Sequence, residues 1–147
     1  MITAWLPAEN IRIVESVSDW KEAIWLSAQP LLAKEAITEN YIQSVFNSHQ
    51  ELGPYYVLAP GLAMPHARPE QGVIKNGLSL LHIKQGVSFE SDENDPVYVV
   101  MMLCAFSGDE HIKMISALAN IFSDDERLLA LLKAETIEEI QTVINRE

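Results

Sequence analysis

Two of the four histidines stand where an imidazole could meet something outside the protein. His66 ends the run Leu62-Ala63-Met64-Pro65 and is followed by Ala67-Arg68-Pro69. Pro65 locks its own φ, Pro69 lies just beyond the histidine, and each proline biases the residue before it toward extended geometry. A stiffened loop at a strand end presents its ring outward; the competing reading is a loop histidine hydrogen-bonded to a nearby carbonyl. His111 lies in the first turn of a predicted helix that opens with Ser107 and Glu110, a capping-box pattern. Unpaired N–H groups there favour an anion and disfavour an imidazolium, so a neutral ring can donate an N–H to a phosphoryl oxygen. The alternative is a satisfied histidine at a core edge, in line with Ile115, Leu118 and Phe122. Both histidines follow the C-terminal ends of predicted strands, the edge where open α/β sheets form ligand crevices. Two imidazoles meeting there suit transfer of a small anionic group, one as nucleophile and the other orienting or stabilising charge.

The other two histidines read as structural. His49 falls at helical spacing after Ile42, Val45 and Phe46, which suits packing or capping, and His82 alternates with Leu78 and Leu80 as a sheet-surface side chain. No two histidines are three to five residues apart, so a zinc site is weakly supported. A Walker loop, a dinucleotide glycine fingerprint and a Gly-x-Ser-x-Gly elbow are all missing. A phosphate carried by this chain would have to arrive from another protein.

The elements that must position His66 and His111 can be traced in order. Ile11 to Val14 reads as a strand. Asp19 with Glu22 opens a helix that Pro30 should kink or split, and Thr38 opens the next, which Gly53-Pro54 ends. Tyr55 to Leu58 and Leu62 to Met64 read as short strands broken by Pro60-Gly61. Leu78 to Lys84 is a strand ending near Gly86, and Asp92 to Pro96 is a polar turn. Val97 to Phe106, apolar on both alternating sets, suits a central strand covered on both faces. Ser107 with Glu110, Ser123 with Glu126, and Thr136 with Glu139 open three C-terminal helices. Their expected core stripes are Ile112, Ile115, Leu118, Phe122; then Leu128, Leu129, Leu131, Leu132; then Ile137, Ile140, Val143, Ile144. The predicted fold class is α/β, one mixed sheet of about five strands with helices on both faces.

The chain of 147 residues fits a single domain over 1–147. Its formal net charge of −11, with no Lys or Arg cluster, argues against nucleic acid and anionic lipid as partners. The single cysteine, Cys104, rules out a disulfide scaffold and reads as a buried, inert thiol. The N-terminal residues show no secretory signal, and the apolar runs fall short of the ~20 residues that span a bilayer. A soluble, cytoplasmic protein is expected.

The run from Gly53-Pro54-Tyr55-Tyr56 through Met64-Pro65-His66-Ala67-Arg68-Pro69-Glu70 resembles the active-site segment of enzyme IIA components of the bacterial phosphoenolpyruvate-dependent sugar phosphotransferase system, mannitol/fructose type (type 2). Ser107-Gly108-Asp109-Glu110-His111-Ile112 resembles that family's second histidine motif. Within the family the details are most similar to the cryptic mannitol-specific members, then the ascorbate-specific ones. The resemblance implies that His66 accepts a phosphoryl group from the histidine-containing phosphocarrier protein. It would pass the group to a cysteine of the cognate enzyme IIB during uptake of mannitol or a related sugar or ascorbate. His111 would assist without being phosphorylated. No cofactor or metal is implied, because such transfer mostly needs in-line positioning and neutralised oxygens. The arginine that mannitol members carry before the active histidine is absent from Asn47-Ser48-His49-Gln50-Glu51, which leaves Arg68 or backbone amides to supply positive charge. A regulatory IIA-like phosphoprotein is the alternative, mildly disfavoured by the lack of an attached DNA-binding segment. A metal-dependent hydrolase is the remote one.

Overall fold

The computed structural model describes residues 2–146. One mixed sheet runs in the order β1-β4-β5-β3-β2, built from β1 (Ile11–Val14), β2 (Val57–Ala59), β3 (Leu62–Ala63), β4 (Gly77–Val87) and β5 (Val97–Cys104). β1 lies parallel to β4 and β3 parallel to β5, whereas β4–β5 and β2–β3 are antiparallel. On one face α2 (Trp20–Ala33) and α3 (Glu39–Leu52) pack Ile24, Leu31, Tyr41 and Ile42 against Leu81, Ile83, Val100 and Met102. On the other, α4 (Gly108–Phe122), α5 (Asp125–Lys133) and α6 (Ile137–Asn145) pack Met114, Leu118, Leu131 and Ile140 against Leu80, Val99, Met101 and Leu103, together with α1 (Ile2–Trp5). The unbroken apolar character of β5 is therefore that of a strand buried on both sides. Cys104 is buried, and burial pushes its thiol up to about 12.

Several elements differ from expectation for identifiable reasons. Pro30 does not split α2, which continues to Ala33. The ring removes one helical N–H near the C-terminal end, while Ser27, Ala28 and Leu31 on either side stay buried and hold the last turn in place. Strand β4 runs through Gly86 to Val87, because Gly86 takes φ +71° where the β4–β5 register shifts, a bulge that only glycine adopts cheaply. Tyr55 and Tyr56 form a turn ahead of β2, and Met64 lies beyond β3. His82 is buried, not on an open sheet surface; its ring bonds the Leu132 carbonyl at 3.0 Å through Nε2, and burial lowers its pKa.

The start of α5 is displaced by one residue. Ser123 is the C-cap of α4, with right-handed helical backbone angles and its N–H bonded to the Ala119 carbonyl, so Asp124 takes the extended cap position of α5 and accepts from Glu126 and Arg127 N–H. Leu129 is half exposed, and the core position goes to Arg127, whose Nη2 donates to the carbonyls of Val143 at 2.7 Å and Ile144 at 3.3 Å. Asp124→Ala is expected to lower unfolding free energy by about 1 kcal/mol in urea denaturation, and Ser123→Ala by clearly less. Equal losses would contradict this cap assignment.

Candidate active site

The hairpin of β2 and β3 turns at Pro60-Gly61, with Gly61 at φ +87°. Its N–H bonds Asn94 at 3.0 Å and its carbonyl accepts from Tyr98 at 2.8 Å, so the turn is fastened to the start of β5. Beyond β3, Met64 N–H donates to Tyr56 at 2.9 Å, and the Pro65 carbonyl accepts from Leu103 N–H at 3.2 Å. His66 follows with its ring half buried and its Nδ1 2.9 Å from the Met64 carbonyl oxygen. A carbonyl only accepts, so Nδ1 must carry the hydrogen in this arrangement. Nε2 then holds the lone pair, and no hydrogen bond among the described residues occupies it.

His111 reaches the same place from α4. The Ser107 hydroxyl accepts from Glu110 N–H at 3.2 Å, and the Ser107 carbonyl from His111 N–H at 3.0 Å, closing the first turn beneath the ring. The two imidazole centroids are 5.2 Å apart at an interplanar angle of 47°, close enough for one tetrahedral group to touch both. Burial, and secondly the charge His66 can carry, lower the His111 pKa and favour its neutral form. Tyr55 sets its ring edge-on to His66 at 6.3 Å.

These groups face a cleft of about 800 Å³. Ser44, Asn47 and Ser48 of α3 form one wall with Gln71; Gly108, His111 and Ile112 form the opposite one; Leu52 and Tyr55 complete the lining. Arg68 also lines the cleft, exposed, at the start of the short 3₁₀ turn Pro69–Gln71, and makes no ion pair among the described residues. All three sequence candidates, His66, His111 and Arg68, thus border one cavity. Ile112, expected in the core stripe, is instead exposed at the cleft rim, because Met114, Leu118 and Ile121 are the α4 residues turned to the sheet. The α3 wall went unread in the sequence, although 44, 47 and 48 share one helical face.

His49 is buried away from the cleft, stacked on Trp20 at 3.7 Å, with Nδ1 2.6 Å from the Tyr56 hydroxyl and Nε2 2.8 Å from Glu90. The stretch 47–51 consequently presents amide and hydroxyl groups to the cleft, not a cation. Among the described residues no cluster of three His, Cys, Asp or Glu side chains could hold a metal ion, and no helix is long and apolar enough to cross a membrane.

Residues 4–147 match the family described as the phosphoenolpyruvate-dependent sugar phosphotransferase system, EIIA 2. The chain belongs to this family. It is 41% identical over 145 residues to the mannitol-specific cryptic phosphotransferase enzyme IIA component of Escherichia coli K12, covering 99% of this chain and 98% of the relative. The solution structure of that Escherichia coli component superposes with a TM-score of 0.92 at 42% identity, over 99% of each chain. The ascorbate-specific EIIA component of Escherichia coli K12 is 37% identical over 142 residues, 95% of this chain and 92% of the relative. A complex of the Escherichia coli mannitol enzyme IIA with phosphorylated enzyme IIB aligns with a TM-score of 0.79 at 26% identity, over 93% and 94% of the two chains. This enzyme IIA shares the family's five-stranded mixed sheet flanked by helices.

The electrostatics of the histidine pair can be checked directly. In NMR titration His111 is expected to titrate below the ordinary histidine value of 6.5. In His66→Ala its pKa should move part of the way back up, because a nearby positive charge is gone while burial persists. No upward movement would show the two rings to be electrostatically independent.

Proposed function

We propose that this enzyme IIA is a cytoplasmic phosphoryl carrier whose nucleophile is Nε2 of His66. The observation that carries this reading is the Nδ1–Met64 carbonyl bond, which leaves the Nε2 lone pair for chemistry 5.2 Å, ring to ring, from His111. The phosphorylated histidine-containing phosphocarrier protein supplies the group. The His66 Nε2 lone pair attacks phosphorus in line, the N–P bond of the carrier breaks, and the carrier histidine leaves with the electron pair. Positive charge develops on the His66 ring, and the Met64 carbonyl, still accepting from Nδ1–H, stabilises it. That charge also makes His66 a good leaving group in the second step. There a cysteine thiolate of the cognate enzyme IIB attacks phosphorus and the electron pair returns to Nε2.

The surrounding groups suit the charge on the transferred oxygens. A neutral His111 donates one N–H to them, the N-terminal backbone N–H groups of α4 add dipole, and Arg68 supplies cationic charge from the rim. The opposite wall offers hydroxyls and amides from Ser44, Asn47 and Ser48. No cofactor is required, since positioning and charge stabilisation account for the reaction. The named relatives point to mannitol or ascorbate as the class of solute served.

Incubation with phosphoenolpyruvate, enzyme I and the carrier should add one phosphoryl group, acid-labile and alkali-stable, attached at Nε2 by heteronuclear NMR. His66→Ala should fold and take none; an adduct of equal mass on that variant would remove His66 as the nucleophile. His111→Ala is expected to slow transfer by about 10²–10³, with partial recovery in His111→Gln, which restores an N–H donor. Onward transfer to mannitol- or ascorbate-type IIB domains separates a transport component from a regulatory IIA-like phosphoprotein, which would keep its phosphate.

A further inference from the structure

Tyr41 is wholly buried in the first turn of α3, its ring in the core cluster between α3 and the sheet. Its hydroxyl donates to the Leu103 carbonyl at 2.6 Å and accepts from Ala67 N–H at 2.9 Å. On the other side of His66, the Pro65 carbonyl accepts from Leu103 N–H at 3.2 Å. Both neighbours of the histidine are thus tied to Leu103 near the end of β5, Pro65 directly and Ala67 through the phenol. The rest of the loop is held by the same end of α3. Asn40 Nδ2 donates to the Gln71 carbonyl at 2.8 Å, Ser44 Oγ to Gln71 Oε1 at 2.9 Å, and Thr38 N–H to the Gly72 carbonyl at 2.9 Å. Gly72 has φ +134°, and a Cβ there would collide with Thr38 Oγ1, so the loop lies as close to the helix as its backbone permits.

We propose that Tyr41 is a positioning residue for phosphoryl transfer, its hydroxyl pinning Ala67 to the end of β5 and thereby aiming the His66 ring; this rests on the phosphohistidine reading above. The phenol suits the task because it donates and accepts at once from a stem that packing cannot release. Burial pushes its pKa far above the ordinary tyrosine value, so it remains a donor across the working pH range. Phenylalanine would keep the ring and the packing and lose both bonds. The Pro65–Leu103 bond and the Nδ1–Met64 bond would then hold the ring from one side only, and the backbone that follows the histidine could shift under it. In-line transfer is intolerant of such movement, since a displacement of about 1 Å can cost about 10² in rate.

Three measurements test this. In Tyr41→Phe, kcat for phosphoryl transfer from the phosphorylated carrier should fall about ten- to hundred-fold while KM stays near that of the unmodified protein, because Tyr41 has no surface for a partner to touch. Asp124→Ala, destabilised at a distant helix cap, should keep full transfer activity, which separates positioning from general loss of stability. Long-range ¹H–¹⁵N spectra should show His66 protonated on Nδ1 in the unmodified protein and a tautomer mixture in Tyr41→Phe. In the unmodified protein the Ala67 amide should exchange with solvent about tenfold or more slower than an unprotected loop amide, a result that needs no variant to fold. Unchanged kcat in a folded Tyr41→Phe overturns the proposal, and so does rapid Ala67 exchange. If His66→Ala still accepts phosphate, the phosphohistidine reading fails and this one with it. If His66→Ala is inert and Tyr41→Phe fully active, Tyr41 alone is wrong.

Discussion

Leu62 and Ala63 of β3 lie parallel to Val99 and Val100 of β5, and strands that run the same way end at the same edge of the sheet. That pairing decides where the chemistry can be. The loop after β3 carries His66, the connection after β5 opens α4 and carries His111, and neither ring could approach the other if β3 ran the opposite way. The pairing is only two residues long, so it depends on its surroundings. The Pro60-Gly61 turn fastens one end through Asn94, Tyr98 and Val99, while Pro65 bonded to Leu103 extends the attachment past the last residue of the strand.

Helix α3 serves the site with two faces. Tyr41, Ile42, Val45 and His49 are buried, and Ser44, Asn47 and Ser48, offset around the helix, line the cleft. One element therefore carries both the wall of the site and the anchors of its loop. His49 strengthens the arrangement by filling the interior between Trp20 and Tyr56 and reaching Glu90 at the surface. From that stretch the cleft receives neutral polar groups, Asn47 and Ser48.

The cleft thus sits in a strongly acidic protein with sparse cationic charge of its own. A carrier site must bind a phosphoryl group well enough to accept it and loosely enough to release it. On the proposed reading, Arg68 on an exposed loop, the His111 imidazole and the α4 N-terminus would act as moderate stabilisers, each weaker than a buried guanidinium clamp. Under that proposal, such a balance would favour transfer in both directions over retention.

The amino-acid sequence by itself determined the α/β class and the order of most elements, and it offered His66, His111 and Arg68 as candidates, which the fold places along one cleft. Those features reside in local patterns: an apolar run in β4, two-sided apolarity in β5, capping residues before helices, and a proline-stiffened motif. Where local signals competed, the sequence misplaced details. Ser123 and Asp124 both cap well, and only the length of α4 decides between them; Pro30 breaks helices in isolation but lies in a turn that packing holds closed. His82 looked solvent-facing because period and polarity alone do not show that α5 covers that position. The tertiary structure alone decided that the histidines meet, that Met64 fixes the tautomer of His66, and that Tyr41, over twenty residues away in sequence, reaches the peptide beside it. Such contacts arise from strand direction and helix placement, which depend on the burial of the whole chain and leave no mark in any single segment.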